Sequence, residues 1–269
     1  MSTDLVEKVM AEVLQRMETK KPTVDSNHDQ GSATLQKLSS CGLTEFVGTA
    51  RGHTIGLVIA NVDPQLHEMM KLDKKFRAIG IIGSRTGAGP QIFAADEAVK
   101  ATNTEALRIE LPRDTEGGAG HGCLIILGSE DVSDARRAVE VTLKEIERTM
   151  GDVYGSPAGH LEFEYTARAS GVIHKAFGAP LNQAFGMVIG APAAIGVVLA
   201  DVAAKAATIT PVGYASPASG TSFSNEVIYS FTGDSGAVRQ AVIAAREVGL
   251  QLLSTLDPAP LVSNTTSYI

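Results

Sequence analysis

Apolar positions follow two periods along this chain, and the same succession of periods occurs twice. Ahead of both copies, Leu5, Val6, Val9, Met10, Val13, Leu14 and Met17 recur at helical spacing, with Glu7, Lys8, Glu12 and Arg16 opposite. The pattern predicts a short amphipathic helix over residues 4–17, capped by Thr3 or Asp4. Such a short helix is marginal alone in water, so it is expected to find a partner, pack on its own body or stay mostly disordered. Residues 18–40 read as a linker, with a turn at Lys20-Lys21-Pro22 and a polar run from Asp25 to Ser32.

In each copy a buried strand comes first, at residues 78–83 and 184–190, and runs into a Gly/Pro loop, at 84–90 and 191–196. A helix follows around 94–101 and 198–207, then a strand at 106–111 and 210–214. A long Gly/Ser loop (112–122; 216–225) leads to another strand (123–127; 227–231). Asp131 and Asp234 then open amphipathic helices over 132–147 and 235–252. Sequence identities mark the duplication. Glu45-Phe46-x-x-Thr49-Ala50-Arg51 returns as Glu162-Phe163-x-x-Thr166-Ala167-Arg168, Ala95-Asp96-x-Ala98-x-Lys100-Ala101 as Ala200-Asp201-x-Ala203-x-Lys205-Ala206, and Arg136-x-Ala138-Val139 as Arg239-x-Ala241-Val242. The expected class is α/β (α+β): two related domains, each a small sheet flanked by helices. The expected boundaries are a helix at 1–17, a linker at 18–42, a first domain at 43–150 and a second at 151–269.

Composition removes several functions. The net charge is −7 and no arginine-rich stripe occurs, which argues against nucleic acid as a partner. Cys41 and Cys123 form no CxxC pair, as expected of a chain in a reducing cytosol. The opening Met1-Ser2-Thr3-Asp4 lacks the basic and apolar regions of a signal peptide. Residues 176–200 contain no charge, but Pro180, Asn182, Gln183, Gly186, Gly190, Pro192 and Gly196 interrupt them. A strand, a loop and an alanine-rich helix explain that stretch better than a membrane span of ~20 apolar residues.

Catalytic constellations are missing. The six histidines are scattered, and neither HExxH nor G-x-S-x-G occurs. Gly83-Ser84-Arg85-Thr86-Gly87-Ala88-Gly89 follows a strand and precedes a helix, as a phosphate loop does, but no Gly-Lys-Ser/Thr follows and the third dinucleotide glycine is absent. An enzyme reading would rest on His121 with Asp114 or Glu116; a loop histidine bonding a neighbouring backbone is the plainer reading. Asp96 and Lys100, like Asp201 and Lys205, lie one helical turn apart, which is either a solvated face or a lateral contact used in both halves. The chain therefore points to assembly or binding, with no cofactor and no metal. Paired Gly/Ser loops would suit passage of small neutral polar molecules through a ring of subunits.

Ala94-Ala95-Asp96-Glu97-Ala98-Val99-Lys100-Ala101 with Leu127-Gly128-x-x-Asp131-Val132-x-x-Ala135 resembles the bacterial microcompartment shell domain. Leu199-Ala200-Asp201-Val202-Ala203-Ala204-Lys205-Ala206 and Thr232-Gly233-Asp234-Ser235-Gly236-Ala237-Val238-Arg239 carry the same signature in the second half. The Glu-Phe-x-x-Thr-Ala-Arg segments ahead of each unit resemble the circularly permuted tandem form. The resemblance implies a mainly antiparallel sheet in each domain and a homotrimer forming a pseudohexameric tile. Such tiles join other shell proteins in the cytoplasmic shell of a propanediol- or glycerol-utilising microcompartment around a coenzyme-B12-dependent diol dehydratase.

Carried over by position, the resemblance makes Lys100 and Lys205 tile-edge residues. It places Arg113, Asp114, Thr115, Glu116, Gly117 and Gly118 by the central pore. Ser84, Arg85, Thr86, Gly87, Ala88, His121, Gly122, Ser219, Gly220, Thr221 and Ser222 become pore residues that meet small diols or triols. Ser84, Thr86, Thr221 and Ser222 are expected to hydrogen-bond such a polyol. Leu5, Val9, Val13 and Met17 are expected to face a luminal enzyme. The competing reading is a polyol-binding trimer of the same fold that never tiles.

Overall fold

The computed structural model describes residues 42–85, 87–112, 122–256 and 269. The described residues contain two five-stranded antiparallel sheets that share one topology. In the first, β1 (Phe46–Ala50) and β2 (Thr54–Ile59) form a hairpin, and a short helix α1 (Pro64–Met69) leads to β3 (Ala78–Ser84). Helix α2 (Gly89–Ala101), β4 (Glu105–Glu110), β5 (Cys123–Ser129) and α3 (Val132–Thr149) complete it, with strand order β1-β2-β3-β5-β4. A 3-10 turn (Met150–Asp152) then opens the second sheet, β6 (Val153–Ser156) and β7 (Gly159–Thr166). It continues through α4 (Gly171–Phe177), β8 (Ala184–Ala191), α5 (Ala193–Ala206), β9 (Ile209–Ala215), β10 (Val227–Gly233) and α6 (Ser235–Ser254), with order β6-β7-β8-β10-β9.

Both long C-terminal helices lie on one face of their own sheet, and glycine lets them approach. A Cβ on Gly56 or Gly80 would collide with Val139 of α3, and one on Gly186 with Val238 of α6. That contact fixes the parity of every strand. Gly56, Val58, Gly80 and Ile82 face inward, so Ile55, Leu57 and Ile59 point to the outer face. Leu161 and Phe163 likewise pack under α6 beside Gly249, which sends Glu162 and Glu164 outward.

One of the sequence matches is a strand out of step. The ladder pairs β1 with β2 and β2 with β3, as it pairs β6 with β7 and β7 with β8. The first Glu-Phe-x-x-Thr-Ala-Arg copy therefore lies on β1, whereas the second lies on β7, the counterpart of β2. Both are alternating, half-buried strand sequences, and that common requirement accounts for their likeness. Helices α2 and α5 also start about one turn before the sequence pattern indicates, inside the predicted Gly/Pro loops. Pro90 sits in the first turn of α2, where its missing N–H costs nothing. The amphipathic helix, linker and Cys41 lie outside the described residues.

The interior is shared between the halves. Ile92 and Phe93 of α2 join Ile82, Ile125 and Leu127 of the first sheet to Val172, Ile173, Phe185 and Met187 of the second half. Phe93 and Phe185 place their rings 6.0 Å apart across that junction, and Phe177 stacks on Phe185. A second core lies under α5 and α6. At its margin the fully buried Asp152 pairs with Arg246 at 2.7 Å. The same two residues hold the main chain of Ile269: its N–H donates to Asp152 and its carbonyl accepts from Arg246. Burying this ion pair is affordable because the hydrogen bonds around it satisfy both charges. Among the described residues, no helix is long and apolar enough to cross a membrane.

Candidate functional site: the seam between the halves

The two Asp-x-x-x-Lys turns look alike in sequence and differ in structure. Asp96 is fully buried. Its carboxylate accepts from the Ser170 N–H and hydroxyl and from the Ile173 N–H, at 2.7–3.1 Å. Ser170 is the N-cap of α4 but makes no side-chain cap bond of its own. Asp96 therefore supplies, from the other half of the chain, the anion that the free N–H groups of α4 require. Lys100 reaches Asp96 at 3.0 Å, Glu97 at 2.9 Å and the Thr166 hydroxyl at 3.4 Å, with its side chain 12% exposed. Asp201 and Lys205 also pair, at 2.7 Å, but their side chains are 57% and 75% exposed. The solvated-face reading thus describes the second pair and is corrected for the first, which is an internal clamp. The resemblance puts both lysines at a tile edge; Lys100 lies at the seam and Lys205 in the open.

Between α2 and the second sheet lies a narrow cleft that includes Ala88, Gly89, Leu111, Glu162 and Glu226. It admits little more than a water-sized guest. Glu162, Glu164 and Glu226 are all buried. A Cβ on Gly89 would meet Glu162 Oε2 at 2.9 Å, so this carboxylate stands at the opening of α2, which has no side-chain cap of its own. His160 meets Glu162 at 2.7 Å. Burial opposes the charged imidazole, but the Glu162 carboxylate, by charge and hydrogen bond, and Glu226 behind it outweigh burial and raise the His160 pKa.

This acidic group was not among the sequence candidates. The signal was present in the period-2 run Leu161-Glu162-Phe163-Glu164-Tyr165-Thr166, which puts acids on a single face. The first half differs at the same places. Ile55, Leu57 and Ile59 pair with Gly83, Ile81 and Ile79, as Glu162, Glu164 and Thr166 pair with Ile189, Met187 and Phe185. At these positions the outer face is aliphatic on β2 and carries two acids on β7.

The predicted pore residues fall into two groups. At the end of the first sheet, Ser84 donates to the Gly87 carbonyl at 3.3 Å and lies 3.2 Å from Cys123 Sγ. Gly122 packs so closely on the Ser84 carbonyl that no side chain fits there. Burial raises the Cys123 thiol to about 11, against the opposing Ser84 hydrogen bonds, so it stays protonated near neutrality. Arg85 is exposed, and Ala88 borders the seam cleft. At the end of the second sheet, Ser216 and Ser219 exchange backbone hydrogen bonds, Gly220 has φ 101°, and the buried Thr221 hydroxyl donates to the Ser224 carbonyl. Ser222 is exposed with φ 50°. The Ser84 and Thr221 hydroxyls thus brace their own loops. Thr86, the 113–118 loop, His121 and the helix residues Leu5, Val9, Val13 and Met17 lie outside the described residues.

A twofold-repeated antiparallel sheet, permuted so that a hairpin precedes each unit, defines the class. The BMC domain profile matches residues 78–156 and again 184–260. The chain belongs to the bacterial microcompartment shell proteins built from tandem BMC domains. It is 58% identical over 269 residues to the shell protein PduB of Citrobacter freundii, covering 100% of this chain and 99% of that protein. It is 59% identical to PduB of Salmonella typhimurium with the same coverage. A crystal structure of a trimeric PduB matches with TM-score 0.81 and 53% identity, over 84% of this chain and 100% of that one. The protein is accordingly a structural shell component and not an enzyme.

The His160 pair has a sign that can be checked. A histidine with a raised folded pKa stabilises the fold fully below its unfolded pKa of ~6.5, and the contribution disappears as pH rises through the folded value. In urea melts, wild type should exceed His160→Gln most at pH 6, with the gap narrowing towards pH 9. A gap that widens with pH would contradict the arrangement.

Proposed function

We propose that three copies close head to tail into a pseudohexameric tile of the shell. The observation that supports this reading is an unequal burial of equivalent helices. On α2, Ile92 and Phe93 are 0% and 2% exposed because the second half covers them. On α5, Val197 and Val198 remain 50% and 41% exposed. The first half offers an uncovered counterpart surface: Ile55, Leu66 and Met69 are 39%, 42% and 81% exposed. A chain with one spare helix face and one spare receiving face at opposite ends is a heterologous unit, and such units form closed rings when the rotation permits. Full burial of a valine stabilises by ~1.5–3 kcal/mol, so each seam gains from covering two half-exposed ones. Light scattering on a sizing column should give three times the 28.1 kDa chain mass. A stable monomer would overturn the reading.

Within the tile, the loops at 84–90, 112–122 and 216–225 form the passage for small diols or triols. Loop carbonyls accept from the hydroxyl groups of such a solute without a trapping charge. Crystals soaked in propanediol or glycerol should show the polyol at these loops. Absence of the polyol from them would count against permeation by this route. The tile joins other shell proteins along the surface that its own seams leave uncovered. The amphipathic segment at 4–17 tethers a luminal enzyme, with diol dehydratase as the expected cargo. Deleting residues 1–20 should release cargo from purified shells while leaving the trimer intact.

A further inference from the structure

The seam inside the chain is a template for the seam between copies, and the two are chemically different at one point. Resting on the head-to-tail reading, α5 of one copy takes the place of α2, and the outer face of the first sheet in a second copy takes the place of the second sheet. Asp201 then stands where Asp96 stands, and Asp63, the N-cap of α1, stands where Ser170, the N-cap of α4, stands.

Ser170 presents a hydroxyl and unsatisfied N–H groups to Asp96, at distances down to 2.7 Å. Asp63 presents neither. Its own carboxylate already accepts from the Gln65 and Leu66 N–H groups, at 2.9 and 3.3 Å. A second carboxylate arriving from α5 therefore finds an anion in place of donors. Lys205 is the sole basic residue of α5 and lies one turn from Asp201. On the receiving side, Lys71, Lys74 and Arg77 line the groove beside α1, with His67 and Glu68.

We infer that the copy-to-copy seam brings Asp201 of one copy against Asp63 of a second copy, with Lys205 bridging the two carboxylates. The half-to-half seam is closed by a satisfied anion–dipole contact and is permanent. The copy-to-copy seam holds an opposed acid pair and is the one that opens. Its strength is set by the neighbouring cations, while the apolar contact of Val197 and Val198 supplies the attraction.

A double-mutant cycle on the assembled full-length protein tests this. Asp63→Ser keeps a competent cap for α1 and copies the intrachain seam; Asp201→Asn removes the opposing charge without touching α1. Dissociation is followed by sedimentation on dilution, in a fixed urea concentration that brings wild type into range. Asp63→Ser should tighten assembly about tenfold, because a like-charge contact across an interface is relieved. Adding Asp201→Asn to it should tighten nothing further and should return part of the gain, since the repulsion is already gone and an amide oxygen is a weaker acceptor than a carboxylate for the introduced hydroxyl. Additive effects of the two substitutions, or weaker assembly by Asp63→Ser, would overturn the inference while leaving the trimer standing. A wild-type monomer at the outset would overturn both.

Discussion

The fold of the pair depends on covering the outer surface of α2. Ile92 and Phe93 cannot both pack under their own sheet, so the first half is incomplete as an isolated unit. The second half supplies what is missing: the α4 side chains Val172 and Ile173, the β8 side chains Phe185 and Met187, and the N–H groups that Asp96 needs. Hydrophobic burial provides the larger share of the energy, and Asp96 fixes the geometry. A charge taken fully out of water is tolerated only where donors meet it, so the helices can cross in few ways. The apolar contact is non-directional, whereas the carboxylate is not.

This constraint accounts for the acids on the second sheet. Once α2 lies across that sheet, its uncapped N-terminus points at the β7 outer face. Glu162 offers the opposite charge there, and His160 offsets part of the accumulated negative charge. The aliphatic residues at the matching positions of β2 face no helix terminus among the described residues. They suit an apolar partner such as Val197 and Val198. The difference between Ile55 and Glu162 follows from which helix end each must meet.

Much of this was legible in the sequence, for identifiable reasons. Runs such as Ala78-Ile79-Gly80-Ile81-Ile82 are buried on both faces and announce central strands by composition alone. The helices over 132–149 and 235–254 carry strong 3.6-residue periodicity. The hairpins β1-β2 and β6-β7 were harder, because half-buried strands resemble one another, and Glu45–Arg51 matched the wrong partner. The role of Asp96 was hidden because helical spacing shows which residues share a turn and not what lies opposite. Asp96 and Asp201 have the same local sequence, and only the other half of the molecule separates their environments. The pore loops were legible by position but not by role: nothing in Ser84 or Thr221 as residues tells whether a hydroxyl turns toward a passage or back to its own loop.

Duplication explains why such divergence is tolerated. In a ring of six identical domains every seam would carry the same residues, and a change that weakened one would weaken all. A fused pair divides the seams into those inside a chain and those between chains. The former are held by covalent connection as well as by contact, so their effective concentration does not fall on dilution. They can accommodate buried acids, with the desolvation cost that these bring, at the cleft beside Ala88 and Gly89. The latter must assemble from separate chains and therefore favour aliphatic surface, with charge left at the rim. Among the described residues the acidic cleft occurs once, so a ring of three such chains is chemically threefold even where its domains repeat six times.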